Sequence, residues 1–356
     1  MGIPILIILG FVKRLLKSKK NKSINKIGIY KEVGIGDLIL ATAAIKALRS
    51  FYPNAEIVLF CNPSNFVVSG FIPWVSKVVV VQPSNPVGII GAFRKEKLDV
   101  LFDMGAWPRI NAICSVLSGA KRVVGFKTPG QYRHYAYDLK VPHSTNIHEY
   151  ENYLSLVSCF VERLNDFKPS LEVKINTNIP ERITSKKYIV FHIKSGGFVG
   201  HFREWPIDYW KSLAKYFVSL GLSIILTGSE QDKYHNELVI EKIDGVINQN
   251  IINAAGVFSF EELASVLYYS QVVITVDTGI LHYAAVIGAK VISLHGPSNP
   301  KRWGGVGPNV YPLVPSKEGC CFLNYGFEFK NRATDCMNYI TVENVVSEFN
   351  KINVSG

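Results

Sequence analysis

A chain of 356 residues with 48% apolar and 19% charged residues is long enough for two domains with cores of their own and too apolar to be disordered. Its formal charge of +11 has the size of a nucleic-acid binder's, yet residues 1–31 hold eight Lys or Arg and no acidic residue, while the other 325 balance 31 basic against 28 acidic. The charge belongs to the N-terminus, and no nucleic-acid partner is expected.

That N-terminus has an apolar run over 3–12, then Lys13, Arg14, Leu15, Leu16, Lys17, Lys19, Lys20 and Lys22. A membrane-spanning helix needs about 20 apolar residues, and a secretory signal places its positive charges ahead of the apolar run. Residues 1–25 therefore read as a membrane-associating segment, with 1–22 lying on the inner-membrane surface. Each basic residue there contributes up to about 1 kcal/mol on an anionic leaflet. A helix that packs on the protein itself, or on a partner, is the alternative.

Val/Ile-rich runs then alternate with helical patterns. Strands are expected at 26–30, 56–60, 77–81, 99–102 and 122–124, and again at 188–192, 223–227, 251–253, 272–276 and 291–294; helices are expected at 38–50, 207–220, 231–242, 261–269 and 279–287. Strands buried on both faces with helices between them mean parallel α/β sheets. The reading is a Rossmann-like domain over 26–165, a linker over 166–187, a second such domain over 188–340, and a C-terminal helix in 341–356 that can return to the N-terminal domain.

Polar and glycine-rich turns follow the strands. Val33-Gly34-Ile35-Gly36-Asp37 lacks the third glycine of the dinucleotide fingerprint, because Ile39 stands in its place. Asp37 is either a helix cap or a general base that takes a proton from an acceptor hydroxyl. His192-Ile193-Lys194-Ser195-Gly196-Gly197, with Arg203-Glu204-Trp205-Pro206 opening a helix, offers Lys194, Ser195 and Arg203 to phosphate oxygens; an ordinary solvated loop is the alternative. Thr227-Gly228-Ser229-Glu230 ends a further strand and can present Glu230 to a ribose diol. Asp277-Thr278-Gly279 opens a small-residue helix whose free N–H groups and dipole suit a phosphate, unless Asp277 and Thr278 merely cap it.

The six cysteines, 61, 114, 159, 320, 321 and 336, read as free thiols of a reduced compartment, and Cys320-Cys321 lacks the C-x2-C spacing of a zinc site. No metal is expected. Tyr132, Arg133, His134 and Tyr135 form a basic aromatic loop where an acceptor glycan or its phosphates could dock, or a loop without function.

Taken together these residues resemble glycosyltransferase family 9, the lipopolysaccharide heptosyltransferase family. The likeness runs from about Lys26 to Val346. It rests on Gly36-Asp37 with Thr42, Leu48-Arg49 and Pro53-Asn54-Ala55; on Arg203-Glu204-Trp205-Pro206; on Thr227-Gly228-Ser229-Glu230; and above all on Asp277-Thr278-Gly279 with His282 and Gly296-Pro297-Ser298-Asn299-Pro300.

The resemblance implies a GT-B fold, two Rossmann-like domains with parallel sheets facing across a cleft, and an inverting, metal-independent transfer from an ADP-sugar such as ADP-heptose. The acceptor would be a lipid-linked saccharide at the cytoplasmic face of the inner membrane. It makes Asp37 the catalytic base, Ser195 and Arg203 the diphosphate contacts, and Asp277, Thr278, Gly279 and His282 the diphosphate and sugar end of the donor site. Glu230 would hold the ribose and Phe258 would lie near the adenine. No two aspartates stand two apart, so the D-x-D metal site of other glycosyltransferases is missing. Departures from the family pattern are Arg203 for a usual lysine, His295 for a phenylalanine, and Ser298 and Asn299 for threonine and aspartate. A nucleotide-sugar epimerase of the same architecture and an inactive sugar-nucleotide-binding subunit are the competing readings.

Overall fold

The structure, a computed structural model, describes residues 2–15, 23–32, 34–164, 166–177, 183, 187–197, 199–241, 250–329 and 335–354. The chain divides into two compact units, Met1–Glu172 and Val173–Gly356.

In the first unit six strands, β1 (Lys26–Tyr30), β2 (Glu56–Cys61), β3 (Lys77–Val80), β4 (Val100–Asp103), β5 (Arg122–Lys127) and β6 (Leu139–Pro142), form one wholly parallel sheet in the order β3-β2-β1-β4-β5-β6. Helices α1 (Ile3–Leu15), α2 (Ile35–Phe51), α3 (Pro63–Ser69), α4 (Pro86–Glu96), α5 (Arg109–Val116) and α6 (Glu149–Val157) accompany it. Ile27, Ile29, Ile57, Leu59, Leu101 and Phe102 are fully buried, as strands covered on both faces require. The order reverses between β1 and β4, so the loops after these two strands flank the point where open α/β sheets take their ligands.

The second unit repeats this plan. Strands β7 (Tyr188–His192), β8 (Ser223–Thr227), β9 (Ile251–Asn253), β10 (Val273–Val276), β11 (Val291–Leu294) and β12 (Val310–Leu313) lie parallel in the order β12-β11-β10-β7-β8-β9, with the switch between β7 and β10. Its helices are α7 (Ile207–Ser219), α8 (Lys233–Ile240), α9 (Phe260–Tyr268), α10 (Gly279–Val286), α11 (Pro300–Trp303) and α12 (Val342–Val354).

Several expectations are corrected. The edge strands β6 and β12 escape the sequence because each is four residues long, carries a proline and is only partly buried. Helix α12 packs in the second unit's core through Val345, Phe349 and Ile352, with the Phe349 ring 4.8 Å from that of Phe217. The helix expected over 231–242 starts as a 3-10 turn at Glu230–Asp232 and continues as α8; residue 242 lies outside the described residues.

The N-terminal segment is not separate from the first unit. Leu6 is fully buried in that unit's core, Lys13 pairs with Asp138, and a Cβ at Gly10 would stand 2.1 Å from the Tyr135 carbonyl oxygen. Only a glycine lets the helix approach so closely. Residues 16–22 lie outside the described residues.

The thiol expectation fails at two positions: Cys320 and Cys336 form a disulfide, while Cys61, Cys114, Cys159 and Cys321 are free. Tertiary structure brings the pair together, because the chain after Cys320 runs along the Gly296–Trp303 stretch and then returns beneath Gly296. The Cys321 N–H donates to the Gly296 carbonyl at 3.0 Å, the Leu323 N–H to that of Pro297 at 2.9 Å, and a Cβ at Gly296 would meet Met337 Sδ at 2.4 Å.

Candidate active site

Each unit gathers polar side chains at its own switch point. In the first, α2 starts directly after β1, and Gly34, at φ +84°, precedes it without any side-chain cap. Asp37 lies in the first turn but does not cap the helix. Its Oδ1 instead accepts a hydrogen bond from the Tyr153 hydroxyl at 2.9 Å and pairs with Lys31 Nζ at 3.2 Å. Lys31 is 5% exposed and Tyr153 1% exposed, whereas the Asp37 side chain is 37% exposed. Burial alone would lower the Lys31 ammonium, but the carboxylates of Asp37 and Glu32 hold its pKa above the usual lysine range. Burial, then the Asp37 charge, pushes the Tyr153 phenol well up, so at neutral pH it is a donor.

Helix α6, which supplies Tyr153, is fixed from behind. The buried His143 ring lies 3.0 Å from Glu149 Oε2 and 3.0 Å from Thr128 Oγ1, and Asn152 Nδ2 donates to Glu149 at 3.1 Å. At the neighbouring strand end, Asp103 closes β4 and receives both Oδ contacts from Arg133 Nη2 at 2.8 Å, together with the Tyr137 hydroxyl at 2.7 Å. Arg133 is 1% exposed, so the basic aromatic loop expected to dock an acceptor turns its arginine inward. Tyr132 remains on the surface, stacked on Tyr135 at 6.0 Å. The Arg49 motif is likewise structural: its guanidinium donates to the carbonyls of Pro53 and Ala55, each at 2.8 Å, and to Trp74.

In the second unit the loops after β7 and β10 meet. Ser195 Oγ donates to the Asp277 carbonyl at 3.0 Å; Arg203 Nη1 lies 3.3 Å from Asp277 Oδ2, and its Nη2 donates to the Gly196 carbonyl at 2.7 Å. Thr278 is the residue before α10 and makes no side-chain cap, so neither it nor Asp277 spends itself on closing the helix start. Burial would raise the Asp277 carboxyl, but Arg203, the His295 and His282 rings and a hydrogen bond from Ser298 hold it below the usual range. An anionic Asp277 holds Arg203 next to the residue that precedes the N-cap of α10, whose first N–H groups have no partner within the helix.

His282 is buried one turn into α10 and contributes to the field on Asp277. His295 is fully buried between Ser293 and Ser298 at 3.1 and 3.2 Å. Lys194 pairs with Glu204 at 2.7 Å, so its charge is shared.

Glu230 and Phe258 lie at a different pair of turns, after β8 and β9. A Cβ at Gly256 would come within 2.2 Å of Glu230 Oε2, so the bare Gly256 turn, two residues before the half-buried Phe258, lies against this carboxylate. The structure therefore brings Ser195, Arg203 and Asp277 together at the start of the Thr278-Gly279 turn, and sets Glu230 against the Gly256 turn that leads to Phe258. Sequence reasoning missed Lys31 and Tyr153, and named Ser298 only as part of a motif without its bond to Asp277. Lys31 carried a signal, a charged residue ending a buried strand; Tyr153, 116 residues from Asp37, carried none. Among the described residues no three His, Cys, Asp or Glu form a group that could hold a metal ion.

The model of glycosyltransferase family 9 (heptosyltransferase) matches residues 92–326. Lipooligosaccharide heptosyltransferase 2 of Haemophilus influenzae is 26% identical over 106 residues, 30% of this chain and 31% of that protein. The chain thus spans about a third of the length of the curated relatives it matches first. Lipooligosaccharide heptosyltransferase 2 of Campylobacter jejuni serotype O:6 is 22% identical over 338 residues, 92% of this chain and 99% of that one. The solved structure of E. coli ADP-heptose lps heptosyltransferase II superposes with a TM-score of 0.72 at 17% identity, covering 93% of this chain and 99% of that one, which shows the fold to be GT-B. With the family's model matched over more than half of its length, the chain belongs to glycosyltransferase family 9 (heptosyltransferase).

Proposed function

We propose that the chain is an inverting, metal-independent glycosyltransferase that moves heptose from ADP-heptose onto a lipid-linked saccharide of the lipopolysaccharide core type. The observation that carries this reading is the pairing of unlike half-sites on like folds: a carboxylate held at the first unit's switch point, and a cation beside a helix N-terminus at the second's. The first suits an acceptor hydroxyl and the second a leaving diphosphate. Asp37 takes the acceptor proton as the new glycosidic bond forms. Ser195, Arg203, Thr278 and the N–H groups from Gly279 onward stabilise the charge that develops on departing ADP without having to move. Asp277 and His282 face the sugar, Glu230 the ribose and Phe258 the adenine. In this reading 26–165 is the acceptor domain and 188–340 the donor domain.

The experiment is incubation with ADP-heptose and heptose-deficient lipopolysaccharide, with and without a chelator, followed by analysis of sugar products. Transfer to the acceptor that survives chelation supports the reading. Conversion of the sugar nucleotide with no acceptor present identifies an epimerase instead, and ADP binding without turnover identifies a binding subunit.

A cytoplasmic site on the inner-membrane surface is part of the same proposal. Helix α1 is too short to span a bilayer. One side packs through Leu6 and Gly10, while Ile5, Ile7, Ile8, Phe11 and Val12 are 43 to 62% exposed on the other. An apolar face on a segment whose first 22 residues carry six Lys or Arg and no acidic residue suits an anionic lipid surface. Deleting the segment would also remove Leu6 from the core, so the better test is Ile8→Glu with Phe11→Glu: loss of sedimentation with anionic vesicles at unchanged Tm is expected, and undiminished sedimentation refutes the assignment.

A further inference from the structure

The carboxylate of Asp37 is held asymmetrically. Both of its described donors, Lys31 Nζ at 3.2 Å and the Tyr153 hydroxyl at 2.9 Å, lie on Oδ1. On the Oδ2 side stands Gly34, where an added Cβ would come within 2.3 Å of that oxygen. Any other residue at 34 would cover Oδ2, and φ +84° disfavours one as well. Lys31 and Tyr153 are themselves enclosed: both are at least nine-tenths buried, and Lys31 Nζ lies 5.8 Å from the centroid of the Tyr153 ring.

We propose that Lys31 and Tyr153 are positioning residues that fasten Oδ1 of Asp37, so that Oδ2, kept bare by Gly34, is the atom that takes the acceptor proton. The inference rests on the reading of Asp37 as the base and adds which oxygen acts and what aims it. In the transfer, the acceptor O–H proton passes to Oδ2 while the acceptor oxygen bonds to the anomeric carbon. The bond from that carbon to the diphosphate oxygen breaks, and ADP leaves with the electron pair. A base aimed by two fixed donors loses no time to rotation about its side chain. The charged and titratable groups around the carboxylate are Lys31 and Glu32 from the end of β1, and Tyr153 and Glu149 from α6; α3, which also touches α2, contributes none.

The test measures kcat and KM for ADP-heptose in transfer to heptose-deficient lipopolysaccharide by the full chain. Lys31→Met is expected to lower kcat by roughly 10- to 100-fold and leave KM for ADP-heptose within about twofold, the fold-change an untouched donor site implies. Lys31→Arg, which keeps a charged donor, should restore most of kcat. Tyr153→Phe, which keeps the ring packing, is expected to show the same split with a smaller loss and guards against misfolding of the lysine variant. An undiminished kcat in both variants, or no rescue by Lys31→Arg, would overturn the positioning role. Asp37→Asn separates the two ideas: near-normal turnover in that variant removes the base itself, whereas its inactivity beside undiminished kcat in Lys31→Met and Tyr153→Phe removes only the positioning.

Discussion

Replacing Arg133 with methionine should damage the fold of the first unit rather than a docking surface. The guanidinium is 1% exposed and Asp103 fully buried, and Nη2 reaches both carboxylate oxygens at 2.8 Å while Nη1 donates to the Gly105 carbonyl. In the variant Asp103 keeps the hydroxyls of Tyr137 at 2.7 Å and Ser115 at 3.1 Å and the Gly105 N–H at 3.2 Å, and the Glu32 carboxylate lies in the same field. Removing one partner of a buried ion pair costs about 3–5 kcal/mol, and these surviving neutral donors favour the lower end. For a unit of this size a kilocalorie corresponds to roughly 2–4 °C, so its Tm should fall by about 6–12 °C in calorimetry. The double variant Arg133→Met with Asp103→Leu removes both charges and should recover much of the loss. A fall below about 2 °C, the shift expected of less than one kilocalorie, or a double variant no more stable than the single one, would refute this reasoning and return Arg133 to the candidate acceptor surface.

Other expectations concern the second unit. Arg203→Met removes the guanidinium that spans Asp277 and the Gly196 carbonyl and should weaken ADP binding at least about tenfold by calorimetry, with Arg203→Lys in between because a point charge replaces a fork; unchanged affinity takes Arg203 out of the donor site. Burial holds His192 down to about 4. Its unfolded counterpart titrates near 6.5, so its contribution to stability is whole above that pH and lost as pH falls toward 4, about 3 kcal/mol in all; denaturant titrations at pH 7 and 4.5 should show this slope and His192→Asn should lack it. Cys320→Ser opens a disulfide of sequence separation 16 and should cost about 3 kcal/mol of the second unit's stability, so an equal Tm with and without reductant would argue against the pairing.

What the sequence made legible was local. Runs such as Ile27, Ile29 and Ile189, Phe191 declare central strands because every residue is buried, and glycines and polar residues directly after them marked both switch points. Edge strands with prolines, Val310–Leu313 above all, carry no such pattern. Side chains that act through distant partners stayed invisible: Tyr153 reaches Asp37, and Cys336 reaches Cys320, only once the sheets have placed their helices and loops. Arg133 misled for the same reason, since a basic residue among aromatics in a loop reads as surface until Asp103 is seen beneath it.

The central claim, that Asp37 performs the chemistry while the second unit's turns hold the leaving group, is tested most directly by the Asp37→Asn chain with ADP-heptose and heptose-deficient lipopolysaccharide. ADP affinity unchanged from the unaltered chain, with transfer reduced by roughly 10²-fold or more, is the predicted result; transfer at near-normal rate would contradict it.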